Sequence, residues 1–126
     1  MTDRLYENSL LYIEIEPSQV PWLKIFVKKP TKELSSCDKK TKAMLYQTLD
    51  TIEKHMLQFF KPTKINIASF GNYKPQVHFH IMARFKTDDY YPEPMWGAKQ
   101  RNDKLHLQNI DEFYNLLEKY LSMHFV

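Results

Sequence analysis

The chain has little or none of several features that mark large protein classes. It has one cysteine, Cys37, and therefore forms no internal disulfide. No apolar run approaches the ~20 residues of a membrane helix, and the first residues, MTDRLYENSLL, do not resemble a signal peptide. The net charge of +3 is far from the dense basic patches of nucleic-acid-binding proteins. We therefore expect a cytoplasmic protein with neither a membrane nor a nucleic acid as its partner.

The residues that are present favour a globular fold. The 126 residues are 43% hydrophobic and 26% charged, which is typical of a folded chain rather than a disordered one. Eight tyrosines, eight phenylalanines and two tryptophans supply large apolar side chains. We expect residues 1–126 to form a single domain.

Hydrophobic spacing predicts two strands and then a long helix. The segments SLLYIEIE and WLKIFVKK alternate apolar and polar residues, which is typical of half-buried strands. From Ser35 to about Lys61 the apolar residues recur at steps of three and four, which predicts one helix. We expect Ser35 and Asp38 to form its start and Pro62 to mark its end.

The second half predicts a hairpin, a loop and a last helix. KINIASF and QVHFHIMARF flank the turn GNYKP, a pattern that favours two antiparallel strands. Residues 86–103 are turn formers, and in this loop we expect Trp96 to pack against the loop or a dimer partner. KLHLQ, residues 104–108, predicts a short edge strand, and the apolar stripe from Ile110 predicts a helix over about 109–124. The mixture indicates an α+β fold, an antiparallel meander with one long helix.

The strand QVHFHIMARF places chemically useful groups on one face. Successive side chains of a strand point to opposite faces, so an apolar face opposes an open ladder of Gln76, His78, His80, Met82 and Arg84. His78 and His80 are expected roughly 7 Å apart along the strand. Asn66, Ser69 and Asn72 come from the preceding strand and turn.

Three interpretations of this ladder are open. A solvent-facing strand needs polar residues, and a His-x-His pattern alone is a weak signal. Two histidines could instead ligate zinc, but a zinc site needs a third protein ligand and no cysteine pair or H-E-x-x-H motif is present. A neutral imidazole could also attack phosphorus, if an acceptor holds its other nitrogen and donors surround the phosphate.

The segment PQVHFHIMARF resembles the signature of the histidine triad (HIT) superfamily, His-φ-His-φ-His-φ-φ with φ apolar. The likeness covers roughly residues 8–97 and includes VPWLKIFVKK with the helix after it, the hairpin KINIASFGNYKPQVHFHIMARF, and DDYYPEPMWG. It implies an antiparallel sheet of about five strands with a helix packed on it, usually in a homodimer. It also implies nucleotide or nucleotide-conjugate substrates and no cofactor or metal.

The resemblance implies a role for each matching residue. His78 matches the histidine that attacks the α-phosphorus to give a nucleotidyl-histidine, and His80 matches the last triad histidine, which assists orientation and phosphate binding. Asn66 resembles a nucleotide-contacting asparagine, although Asn72 could hold that role. Arg84 and Trp22 complete the candidate substrate-binding residues.

Two departures from the family pattern bear on catalysis. Gln76 replaces the first motif histidine, which helps the leaving group depart, and an amide is no general acid. Trp22 replaces an outlying histidine at the start of the second strand, although its backbone carbonyl could still orient His78. The sequence therefore predicts a nucleotide hydrolase or transferase acting through His78. The alternatives are a nucleotide-binding module with lost catalysis, and a metal-binding or purely structural domain.

Overall fold

The computed structural model describes residues 3–125, which form a five-stranded antiparallel sheet and two α-helices. The strands are β1 (Arg4–Glu7), β2 (Leu11–Ile15), β3 (Trp22–Val27), β4 (Lys64–Ala68) and β5 (His78–Arg84), and the helices are α1 (Lys39–Phe60) and α2 (Ile110–His124). The order across the sheet is β1-β2-β3-β5-β4. The predicted α+β class, with one long helix and a C-terminal helix, is confirmed.

The strand order has one consequence for the site. The first three strands form a meander, but α1 then carries the chain past β3 to the far edge, and β5 returns between β3 and β4. The histidine-bearing strand therefore lies inside the sheet and is paired on both sides, in register Lys24↔His80 with β3 and Ala68↔His80 with β4. A strand paired on both sides holds its side chains more firmly than an edge strand does.

The two faces of the sheet differ as the alternation predicts. One face packs against α1 through a shared core whose members include Leu23, Ile25, Ile81, Leu45, Ile52 and Met56. The C-terminal helix α2 adds Phe113, Leu117 and Leu121 to the same core. The opposite face carries Lys24, Phe26, His78 and His80, which are directly paired across β3 and β5. Because directly opposite residues share a face, these side chains gather above the sheet.

The boundaries of α1 differ from the prediction at its start. Ser35 lies in a separate 3-10 turn, Leu34–Ser36, and the α-helix begins at Lys39. Asp38 is the cap, since its carboxylate accepts from the Thr41 N–H at 2.8 Å. Lys61, at φ 48°, ends the helix in the left-handed conformation, directly before Pro62.

The predicted edge strand at residues 104–108 is wrong. That segment is irregular, and Gln19 Nε2 donates to the Leu105 carbonyl at 3.3 Å. The fifth strand is β1, which pairs with β2 through a register shift between Arg4 and Tyr6. Residues 104–108 pair with neither edge strand of this sheet, β1 or β4. Within residues 3–125, neither helix combines the length and apolarity needed to cross a bilayer.

Candidate active site

His78 is held by its own backbone neighbourhood. Its Nδ1 lies 2.8 Å from the carbonyl oxygen of Gln76. A carbonyl only accepts, so the proton of the neutral ring resides on Nδ1 and the lone pair on Nε2 is free. The ring stacks on Phe26 at 4.9 Å between centroids, and Ser69 Oγ donates to the His78 carbonyl at 2.7 Å. His78 is therefore fixed in the tautomer of a nucleophile or base.

His80 is held in the opposite tautomer. The indole Nε1–H of Trp22 donates to Nδ1 of His80 at 3.0 Å. Because an indole N–H only donates, Nδ1 must accept and the ring proton of neutral His80 is on Nε2. The two imidazoles are 5.2 Å apart between centroids. One ring thus offers a lone pair and its neighbour offers an N–H donor.

Burial keeps His80 neutral. Loss of solvent around the ring, followed by the nearby His78 and the Lys24 ammonium, lowers the pKa of His80 from 6.5 to about 4, against a smaller opposing effect of Glu16. At neutral pH the Nε2–H of His80 is therefore a hydrogen-bond donor and not a proton source. Such a donor suits a phosphate oxygen.

Both histidines line a cleft of about 560 Å³. Its wall is mainly aromatic, with polar groups at a few points; besides the two histidines it consists of Glu16, Trp22, Lys24, Phe26, Phe70, Gly71, Asn72, Tyr73, Lys74 and Trp96. A concave apolar site with convergent polar groups is the usual form of a small-molecule site. The Lys24 ammonium lies 2.9 Å from a carboxylate oxygen of Glu16, whereas the Lys74 ammonium lies 5.6 Å from the centroid of the Phe26 ring.

The structure brings four of the seven predicted site residues to this cleft: His78, His80, Trp22 and Asn72. Gln76 does not line the cleft. Its side-chain amide instead donates to the Val27 carbonyl at 2.6 Å. The carbonyl that orients His78 belongs to Gln76 and not to Trp22. Trp22 is paired with Met82 across the two strands, whereas the residue opposite His78 is Phe26, so the Trp22 carbonyl does not orient His78. The backbone N–H of Trp22 donates to the Tyr114 hydroxyl at 2.9 Å.

Arg84 and Asn66 lie away from the cleft. The predicted open ladder ends after His80, because Met82 and Arg84 are both buried. The Arg84 guanidinium donates to both Asp88 oxygens, at 2.9 and 3.0 Å, and to Asn66 Oδ1 at 2.8 Å. Its remaining contact is the Glu93 carbonyl at 2.7 Å. These contacts hold the start of the loop that follows β5.

That loop contributes a wall of the cleft that sequence reasoning missed. Trp96 is 49% exposed and its ring meets Trp22, Phe70 and His80 at centroid distances of 5.2, 4.9 and 4.9 Å. Nothing in the spacing of residues 86–103 signals this return to the histidines. The richness of the loop in aromatic residues is the one available hint.

In the described part of the chain, the histidines do not belong to a metal-binding cluster. Among residues 3–125, no three His, Cys, Asp or Glu side chains gather in a position to hold a metal ion. His55 contacts the Thr51 carbonyl and the Tyr120 ring on the helical side of the molecule, and His106 is an exposed loop residue. Cys37 is buried in the core.

Comparison with known proteins agrees with the fold and shows the family. The sequence profile of the HIT domain family matches residues 3–87, and the chain belongs to this family. A histidine triad protein from Bradyrhizobium japonicum is 26% identical, with a TM-score of 0.77 over 94% of this chain and 89% of that one. No protein with a curated description matches the sequence.

More distant structures share the fold. A histidine triad protein from Marinobacter aquaeolei is 22% identical, with a TM-score of 0.73 over 97% of this chain and 87% of that one. The diadenosine triphosphate hydrolase of Plasmodium falciparum, solved with Cyclomarin A, is 18% identical, with a TM-score of 0.63 over 98% and 79%.

We predict that the His80 ring will not take up a proton until the pH approaches 4. Its pKa in the fold is below the ordinary value, so between pH 6.5 and 4 the unfolded chain binds a proton at this site that the folded chain does not. The His80 contribution to stability is therefore complete above pH 6.5 and declines as the pH falls through this window. A ¹⁵N-detected NMR titration of the imidazoles measures it, and a His80 midpoint near 6.5 contradicts it.

Trp22→Phe provides the matched control for the tautomer of His80. Phenylalanine keeps an aromatic ring in the cleft but removes the N–H that donates to Nδ1. We expect the ¹⁵N shifts to change from a single tautomer in the wild type to a mixture in the variant, while His78 keeps its tautomer.

Proposed function

We propose that this chain is a nucleotide hydrolase or nucleotidyl transferase that acts at the α-phosphate of a nucleotide conjugate through a covalent intermediate on His78. The observation that carries the proposal is the 2.8 Å contact between His78 Nδ1 and the Gln76 carbonyl, which leaves Nε2 as a free nucleophile in the cleft. Membership of the HIT family and the likeness to a diadenosine triphosphate hydrolase support it.

The first step forms a bond between Nε2 of His78 and the α-phosphorus. The bond from phosphorus to the leaving group breaks, and the leaving group departs with the bonding electrons. The imidazole becomes positively charged, and its Nδ1–H remains hydrogen-bonded to the Gln76 carbonyl, which stabilises that charge. His80 donates its Nε2–H to a non-bridging phosphate oxygen, where negative charge is concentrated.

The second step releases the nucleotide. A water oxygen, or the hydroxyl of another acceptor, attacks the phosphorus, the N–P bond breaks and its electrons return to Nε2. The water proton passes to solvent. The aromatic side chains of Trp96 and Phe70 at the mouth of the cleft provide apolar faces for the base.

Intact-mass spectrometry tests this proposal directly. The protein is mixed with the 4-nitrophenyl ester of adenosine or guanosine 5′-phosphate and quenched in mild base, in which phosphohistidine survives. We expect one added nucleotidyl mass on the wild type and none on His78→Ala. An adduct that persists in His78→Ala, or nitrophenolate release without dependence on residue 78, overturns the assignment.

The competing function is a nucleotide-binding module that has lost catalysis. The fixed Gln76 amide favours it, because Gln76 is bonded to the Val27 carbonyl and supplies no acid to the cleft. This alternative predicts a raised melting temperature with nucleotide, no adduct, and binding that survives His78→Asn. A homodimer and a cytoplasmic location also remain predictions.

A further inference from the structure

Departure of the leaving group is the step for which the cleft offers least help. When the bond from phosphorus breaks, the leaving atom carries negative charge unless it is protonated or neutralised. A site that cleaves basic leaving groups therefore needs a proton donor beside the leaving atom. A site without such a donor depends on the intrinsic stability of the departing anion.

None of the imidazole and amide groups at this site can act as that donor. His78 is the nucleophile, and its Nδ1 proton is bonded to a backbone carbonyl. His80 is neutral, and a neutral imidazole N–H does not ionise near neutral pH. The Gln76 amide is bonded to the Val27 carbonyl, and an amide N–H gives up no proton in any case.

The remaining polar groups of the lining are scarcely better placed. The Glu16 carboxylate accepts a 2.9 Å contact from Lys24, so each of these groups has its charge compensated by the other. Tyr73 is fully exposed, at the mouth of the cleft. Lys74 is the remaining cation of the lining, on an exposed turn over Phe26. Because the wall is apolar and has few cations, it also provides little stabilisation for a leaving group with several negative charges.

We infer that the chain acts on nucleotide conjugates whose leaving group departs unaided as a stable, singly charged anion, such as a carboxylate or an acidic phenolate, and discriminates against alkoxide and alkylamine leaving groups. The inference rests on the proposed function. It makes Gln76 and the neutral His80 determinants of specificity, because neither supplies a proton where the bond breaks.

A series of aryl esters of adenosine 5′-phosphate tests this inference. Esters of 4-nitrophenol, 4-cyanophenol, 4-chlorophenol and phenol differ little in shape but increase in leaving-group basicity. The rate of nucleotidyl-His78 formation is measured in single turnover with enzyme in excess, and free imidazole attacking the same esters is the reference. We expect the enzyme and imidazole to show the same steep dependence on leaving-group basicity.

The possible results distinguish a failure of this inference from a failure of the proposed function. A shallower dependence for the enzyme than for imidazole means that a proton donor acts at the site and overturns the inference. If the rate depends steeply on leaving-group basicity only in Lys74→Gln, then Lys74 is the proton donor and the inference is wrong. The absence of an adduct even with the 4-nitrophenyl ester contradicts the proposed function itself.

A second comparison uses leaving groups outside the phenol series. An acyl anhydride of adenosine 5′-phosphate should give the His78 adduct rapidly, because the carboxylate needs no proton. An alkyl phosphoramidate of the same nucleotide should react slower by at least about the 10²- to 10⁴-fold that general acid catalysis contributes, because its leaving group is also intrinsically more basic. Equal rates for the two conjugates overturn the inference.

Discussion

We expect replacement of His78 by glycine to abolish the proposed nucleotidyl transfer. We expect a loss of about 10⁴- to 10⁶-fold in turnover of the 4-nitrophenyl ester, the size typical for removal of a covalent nucleophile. The physical reason is the tautomer: His78 alone presents an unprotonated ring nitrogen to the cleft, since the Nδ1 of His80 is occupied by the Trp22 indole. Release of nitrophenolate under steady-state conditions measures the effect.

The same variant allows a rescue experiment. His78→Gly leaves a space the size of an imidazole beside Phe26, on which the native ring stacks. Added imidazole should restore part of the activity, because it rebuilds the nucleophile and not the fold. His106→Ala is the control, since His106 is an exposed loop residue remote from the cleft lining. Activity within tenfold of wild type in His78→Gly, without added imidazole, refutes the role of His78.

Replacing Asp88 by alanine has the largest expected effect on stability. Its side chain is 0% exposed and accepts five hydrogen bonds: two from Arg84 and one each from the N–H groups of Phe85, Tyr90 and Tyr91. Burial acts to raise the pKa of Asp88, but these bonds outweigh it and hold the pKa below its usual value. Loss of one member of a buried pair typically costs about 3–5 kcal/mol.

The expected consequence is a melting temperature lower by roughly 10–20 °C for a chain of this size. Arg84→Met should be less damaging, because the Asp88 carboxylate keeps three backbone donors. Asp88→Ala leaves those three N–H groups without this acceptor and removes the carboxylate beside the buried guanidinium, which keeps the neutral acceptors of Asn66 and Glu93. Asp50→Ala is the matched control, since it breaks an exposed pair with Lys54 and should cost no more than about 1 kcal/mol. Thermal unfolding of the three variants measures the order.

The Asp88 network also bears on the candidate site, because it anchors the loop that carries Trp96. Arg84 bonds to the Glu93 carbonyl, and Arg101 donates to the carbonyls of Asp88 and Tyr91 at 2.6 and 2.8 Å. A variant that loosens these contacts should weaken nucleotide binding as well as the fold. Equal melting temperatures of Asp88→Ala and Asp50→Ala would show that the Asp88 network does not stabilise the fold.

Local patterns in the sequence predicted most of the secondary structure. Alternation predicted β2, β3 and β5, and steps of three and four predicted α1 and α2, because each pattern reports which face of one element is buried. The strand at residues 104–108 was predicted from the same kind of pattern and is absent. A short segment becomes a strand only when it pairs with another strand, and within the described part of the chain residues 104–108 pair with neither edge strand, β1 or β4.

By itself, the sequence determined the side of β5 on which His78 and His80 lie, since the period of a strand leaves no other choice. Only the tertiary structure decided which tautomer each of these histidines adopts and which side chains surround them. The tautomer of His78 depends on the Gln76 carbonyl, and that of His80 depends on the Trp22 indole from another strand. Trp96 reaches His80 from a distant loop. Arg84 does not face the cleft, because it is buried in an ion pair with Asp88. The contacts of Trp22 and Trp96 with His80 follow from the packing of whole elements, and the local Gln76–His78 and Arg84–Asp88 contacts depend on hydrogen-bond geometry that no hydrophobic period encodes.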